Sequence, residues 1–188
     1  RRGEPMAPVT VVNLALWAAW AAYWIFAARS ASRGAALERS SSRFVHLGAA
    51  VTSLTLLVTR PLEVAIPGGP AVAVVGDVVT GLGLAFAVWA RVHLGEYWSG
   101  RVELKEGHRV VRTGPYGWVR HPIYAGIVMA IAGSALVAGE VTALLAPVVM
   151  LAAYLRKVRM EEAVLLRTFG GEYEAYRRDV RAIVPFVV

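Results

Sequence analysis

The sequence predicts an all-α fold, a polytopic integral membrane helical bundle of about five transmembrane helices with a C-terminal cytosolic helix. Three observations point to it. Of 188 residues, 57% are apolar and only 18% are charged, with a mean hydropathy of +0.53, whereas a soluble domain of this size carries more charge. The apolar residues gather in runs approaching the ~20 that cross a hydrocarbon core of roughly 30 Å. The basic residues segregate to one side of the runs.

Taken in order, residues 7–28 carry no charge and form the first span. Residues 44–59 are uncharged but only 16 long, so Arg43 and Arg60 have to snorkel to the interface. A third run, 71–90, includes Asp77 and leads into a polar stretch from Arg91 to His121. Runs 122–139 and 141–155 are separated by Glu140 alone and read as a tight helical hairpin. From Arg156 the chain is charged but patterned, with Tyr173, Tyr176, Val180 and Ile183 at helical spacing. Small residues recur at every fourth position of the fourth span, at Gly126, Ala130, Ser134 and Ala138, which lets a neighbouring backbone approach closely. Residues 1–188 form a single domain on this reading, with N-terminal spans over 1–93 and the chemistry confined to 94–188.

Five spans place the two termini on opposite sides. One side then receives Arg1, Arg2 and Arg60, and the other the remaining 17 of the 20 basic residues. Because basic loops stay in the cytoplasm, the 91–121 loop and the C-terminal segment are expected to meet on the cytosolic side, in a bacterial cytoplasmic membrane. The first apolar run is too long for a signal-peptide core, so it is expected to remain as a span. The net charge of +7 comes without a nucleic-acid motif, and membrane orientation accounts for it. Cysteine is absent and the four histidines, at 46, 93, 108 and 121, lack the close pairing of zinc motifs. No metal site is expected, and the oligomeric state is not encoded in any of these features.

Three constellations stand out: Leu94-Gly95-Glu96-Tyr97-Trp98-Ser99, then His108 to Tyr124, then Glu161-Glu162 with Phe169-Gly170-Gly171-Glu172-Tyr173 beyond them. Gly114-Pro115 makes a turn, and Pro122 suits the first turn of the next helix. Arg120 and His121 therefore stand at a helix N-terminus, which favours an anionic group. Taken singly, Arg120 and His121 serve equally well as an interfacial anchor, and the glutamate pair as a solvated helix start. Asp77 lies a turn or two inside its span and is left out of the site. His46 and His93, near span ends, read as structural.

The ordered set resembles the isoprenylcysteine carboxyl methyltransferase family and its bacterial relatives, within a wider group that includes phospholipid methyltransferases. It consists of Leu94-Gly95 with Trp98-Ser99, His108, Val110-Val111, Gly114-Pro115-Tyr116, Arg120-His121-Pro122, Tyr124, Gly126, Glu161-Glu162, Phe169-Gly170, Tyr173, Tyr176 and Pro185. The resemblance covers roughly residues 94–185. It implies S-adenosylmethionine as cofactor, with S-adenosylhomocysteine as product, contacted by His108, Val110, Val111, Gly114, Tyr116, Arg120, His121, Tyr124, Glu161 and Glu162. Arg120, Glu162 and Lys157 are the implied catalytic residues. Lys157 stands near a position where the family pattern leads one to expect Arg, and Lys cannot supply the planar bidentate grip of Arg on a carboxylate. The implied reaction is carboxyl O-methylation of a prenylcysteine-like lipophilic substrate drawn from the membrane lipids. Methylation of a small thiol or lipid amine is the alternative within the same chemistry, and a non-catalytic membrane subunit retaining the fold is the alternative outside it.

Overall fold

The computed structural model describes residues 8–29, 35–36, 40–59, 62–95, 103–104 and 110–184. Helices α1 (Pro8–Arg29), α2 (Ser40–Val58), α3 (Gly69–Leu94), α4 (Pro122–Ala138) and α5 (Leu145–Phe169) fall where the apolar runs predict them, and α6 (Gly171–Asp179) comes next. The spans of Thr10–Ala27, Gly69–Leu94 and Val141–Phe169 are each long and apolar enough to cross a membrane, while the apolar stretches Phe44–Val58 and Pro122–Ala138 are shorter. Two connecting loops touch through a two-residue antiparallel pairing of β1 (Ala35–Ala36) with β2 (Glu103–Leu104).

The closest packing joins α3 to α4 through small residues. A methyl group added at Gly83 would lie 2.6 Å from the backbone oxygen of Gly126, and one added at Gly133 would lie 2.5 Å from that of Gly76. Between these contacts Thr80, Ala87 and Ala130 are fully buried. The small-residue spacing on α4 does what the sequence indicates, with Gly133 joining Gly126, Ala130 and Ser134 on the buried face. Ala138 is only half-buried, because the helix ends there.

A polar network fastens α1 onto this pair. The Asn13 amide donates to Asp77 Oδ1 and Thr80 Oγ1, each at 3.1 Å, and its oxygen accepts from Ser134 Oγ at 3.0 Å. Trp17 Nε1 donates to the same serine at 2.9 Å. Asp77 is thus a cross-helix acceptor, paired as an acid within a span has to be. Helix α2 packs on the other flank, against α5, where Ser53 Oγ donates to the Ala146 carbonyl at 3.1 Å.

The two hairpin ends are locked differently. At one end Gly139 turns with φ 68°, and buried Glu140 accepts from the amide of Thr142 at 2.9 Å and from its hydroxyl. There the backbone also bonds the α2–α3 connection, Ile66 N to Gly139 O and Val141 N to Val64 O, both at 2.9 Å. The opposite end collects the C-terminus of α3, the N-terminus of α4, the charged half of α5 and α6. Two expectations need correction here. The fifth apolar run and the charged segment after it are one continuous helix, so Glu161 and Glu162 lie in its body and are not a helix start. Helix α6 ends at Asp179, so Val180 caps it and Ile183 lies beyond it, buried against Val158 instead of continuing the helical spacing.

The α3–α4 contact is backbone against backbone, so a clash there has no side chain to move aside. Gly126→Ala is expected to cost about 1–3 kcal/mol or more by overpacking. Gly48→Ala on α2 meets nothing within 4 Å and should be neutral or mildly stabilising. Thermal unfolding of both variants in one detergent checks this, and equal midpoints would show that the seam is not close-packed.

Candidate active site

The site begins in the turn before α4. Gly114 adopts φ +57°, which suits glycine, and a methyl group there would meet the His93 ring at 2.7 Å. Residues Gly114–Gly117 wind into a 3₁₀ turn held to α3 by His93 Nε2 and Thr113 Oγ1, 2.9 Å apart, and by the Tyr116 hydroxyl donating to Ala90 O at 3.4 Å. The C-terminal segment then clamps residues 119–121. Val119 pairs in parallel with Arg181, Arg120 N donates to Arg181 O and His121 N to Ala182 O, both at 2.8 Å. Pro122 occupies the first turn of α4, as expected, and His121 is its N-cap.

This clamp aims Arg120 and His121 at α5. At about 100° per residue, Tyr154, Lys157 and Glu161 share one face of α5 while Leu155, Val158 and Glu162 share the next. The adjacent glutamates therefore face different partners. Glu162 Oε1 accepts from Arg120 Nε at 2.7 Å and lies 2.7 Å from Arg120 Nη2, while Oε2 lies 3.1 Å from Arg177 Nε of α6. Glu161 Oε1 accepts from the Tyr124 hydroxyl at 2.6 Å and lies 3.9 Å from Lys157 Nζ. His121 bridges the two, with Nδ1 at 3.4 Å from Glu161 and Nε2 at 3.3 Å from Glu162.

The imidazole is buried, and burial alone would lower its pKa. Hydrogen bonds and charge from the two flanking carboxylates outweigh that and raise it above the ordinary value. Burial also raises the hydroxyls of Tyr173 and Tyr176; the latter donates to Tyr116 O at 2.6 Å and lies under the Arg112 guanidinium, 5.3 Å from its ring centre. An aromatic column runs from the site into the bundle: His121 on Tyr124 at 5.6 Å, Tyr124 on Tyr154 at 4.4 Å, then Tyr154 on His46 at 6.0 Å. Lys157 Nζ lies 5.8 Å from the Tyr124 ring centre.

Of the sequence-derived residues, Arg120, His121, Tyr124, Lys157, Glu161 and Glu162 meet in one cluster. Val110, Val111, Gly114 and Tyr116 belong to the loop that enters it, and His108 lies outside the described residues. Two participants escape the sequence reading. Tyr154 is legible in retrospect as the residue three before Lys157 and seven before Glu161, on the same helical face. Arg177 has no local signal, because only the fold-back of α6 brings it to Glu162.

The fold and the site define a class: a helical membrane protein with a half-buried cluster of paired carboxylates and cations at one end of its bundle. Residues 76–167, which hold most of the cluster, match the model of the isoprenylcysteine carboxyl methyltransferase (ICMT) family. Among relatives, protein-S-isoprenylcysteine O-methyltransferase of Schizosaccharomyces pombe is 34% identical over 101 residues, 52% of this chain and 43% of the relative. The Saccharomyces cerevisiae enzyme of the same name is 30% identical over 88 residues, 46% of this chain and 37% of the relative. The match thus spans about two fifths of these relatives' length. The solved structure of the eukaryotic intramembrane Ras methyltransferase ICMT is similar in fold, with a TM-score of 0.52 and 23% identity over 80% of this chain and 55% of that one.

The cluster generates two tests. Glu162→Ala would leave the guanidinium of Arg120 buried and unpaired, a loss of about 3–5 kcal/mol, so this variant is expected to unfold far more easily than Glu161→Ala. Comparable midpoints for the two would remove Glu162 from its structural role. The raised pKa of His121 stabilises the fold fully below the unfolded value of about 6.5 and loses that contribution as pH climbs through the higher folded value. The difference in unfolding midpoint between the native protein and His121→Gln should therefore shrink as pH rises above the unfolded value of about 6.5, and a constant difference would mean that the ring is neutral throughout.

Proposed function

We propose that the chain is an S-adenosylmethionine-dependent methyltransferase that esterifies the carboxylate of a prenylcysteine-like lipophilic substrate on the cytosolic side of the membrane. The observation that carries this is the coincidence of the family match over 76–167 with the cluster around His121. The cluster suits the cofactor chemically. Glu161 offers a carboxylate to a cationic amino group. When bound, the cofactor supplies an electrophilic methyl group on sulfur.

The chain's own residues then have to align, exclude water and hold charge, since a displacement with dispersing charge depends on positioning. Arg120 acts as a positioning residue on this reading. Its Nε and Nη2 are committed to Glu162, and its Nη1 donates to the carbonyl of Arg177 at 3.2 Å and to that of Val180. Lys157, whose ion pair with Glu161 spans 3.9 Å, is the more loosely held cation and can turn to a substrate carboxylate. A carboxylate substrate is already ionised at neutral pH and needs no base. The two carboxylates raise the pKa of His121 and so favour its protonated form, which cannot take a proton from a thiol or an amine, and this favours the carboxylate reading.

Purified protein is expected to bind S-adenosylmethionine and S-adenosylhomocysteine in the presence of chelator, measured by calorimetry. Labelled methyl groups should pass to a farnesyl-cysteine derivative as a base-labile ester, and not to a small thiol or a phosphatidylethanolamine. Lys157→Arg should raise that turnover if bidentate geometry is limiting. Transfer to thiol or amine alone would sink the carboxylate assignment, and absence of cofactor binding in folded protein would point to a non-catalytic subunit.

A further inference from the structure

Three aromatic side chains form a surface at the site end of the bundle that the cluster around His121 does not use. Trp118 closes the Gly114–Gly117 turn, its backbone N–H donating to Pro115 O at 3.2 Å. Its neighbours Tyr116 and Val119 are buried, whereas Trp118 is 64% exposed, so the turn directs this ring outward. The ring rests on α3, with its centre 5.9 Å from Phe86 in a near-parallel stack and 5.8 Å from Trp89 edge to face. Trp89 is itself 41% exposed and lies 5.9 Å from Phe86. We propose that Phe86, Trp89 and Trp118 are a membrane-docking surface that seats the turn leading to Arg120 and His121 at the boundary between lipid headgroups and acyl chains.

The occupant follows from what the patch continues. Val75, Val78 and Leu82 are exposed on α3, at the three- and four-residue spacing that leads on to Phe86 and Trp89, and α3 is long and apolar enough to cross a membrane. The rings are thus the last part of a lipid-facing stripe. Trp89 stands near the end of α3 at Leu94, and His93, one turn further on, is exposed, so the stripe becomes polar just past the rings. An indole joins an apolar body to a polar N–H edge, and exposed tryptophan concentrates at the membrane–water boundary for that reason. Arg120 and His121 follow Trp118 directly after Val119, and the backbone of all three is tied to Arg181 and Ala182. The depth of the Trp118 ring therefore fixes the depth of the cluster.

The test uses the full chain in phosphatidylcholine nanodiscs. In the fold alone Trp118 is largely open, so strong protection of its ring from hydroxyl radicals has to come from lipid. Oxidation slower than that of a free tryptophan peptide on the order of tenfold is expected; oxidation at the rate of the peptide would place the turn in water and overturn the proposal. Depth is read from the fluorescence component lost on Trp118→Phe, a change that keeps a ring against Phe86. That component should be quenched more by lipid brominated near the carbonyls than by lipid brominated near the chain ends, and hardly by aqueous iodide. Stronger quenching from the chain ends, or quenching by iodide as in a free peptide, would overturn the boundary placement. If Trp118→Phe does not fold, the footprint of the native chain decides alone. Neither cofactor nor methyl transfer enters these measurements.

Discussion

The approach of α3 to α4 at Gly76, Gly83, Gly126 and Gly133 is the constraint on which the other elements rest. In lipid, apolar helices gain little from hiding apolar surface from one another, so association depends on dispersion contacts and cross-helix hydrogen bonds. Both need short distances, which glycine and alanine provide. Once the pair is closed, Thr80 and Ser134 lie 3.4 Å apart, and Asn13 can reach both together with Asp77. Helix α1 therefore docks on a surface that exists only after α3 and α4 have met. The same pairing sets the C-terminus of α3 beside the N-terminus of α4, where His93 and Tyr116 stack at 6.4 Å and fix the entry turn of the site.

Charge at that end is organised around His121. A buried pair of carboxylates is unfavourable unless cations desolvated with them compensate, and here the compensation is divided. Glu162 takes two guanidiniums and one imidazole edge, whereas Glu161 takes the other imidazole edge, a phenol and a loosely placed lysine. Saturated Glu162 ties α4, α5 and α6 together, whereas Glu161 is held by a phenol, an imidazole edge and a distant ammonium. Neighbours in sequence thus meet different sets of partners because a helix turns about 100° per residue.

Much of this is legible in the sequence, for reasons that separate cleanly. Helix positions come from uncharged runs, which only spanning or deep burial explains, and all five are recoverable. The α4 seam shows in Gly126, Ala130 and Ser134 at one spacing, but its partner does not, since Gly76 and Gly83 sit among many small residues of α3. The fusion of the fifth span with the charged segment is obscured because charge in a helix that leaves the membrane resembles charge in a loop. Site residues fall into two groups. Those within one turn of each other, such as Arg120, His121 and Tyr124, can be read together from local order, while Arg177 depends on the Gly170 turn, where φ is 51°, folding α6 back onto α5.

The fold-back of α6 also changes what Arg120 can do. From sequence alone, an arginine at a helix N-terminus suggests a hand extended to an anionic ligand. In the folded chain, that hand is already closed on Glu162 and on the carbonyls of Arg177 and Val180, so releasing it for a ligand would expose a buried carboxylate and loosen α6. Such a residue fits the role of holding a geometry in place better than that of gripping a transient ligand. Lys157, about one turn before Glu161 on the same face of α5, carries the opposite profile: a compact cation on a flexible stem, adjacent to aromatic faces and only loosely paired. On the function proposed above, the lysine would exchange Glu161 for the substrate carboxylate while the Arg120–Glu162 pair stays closed.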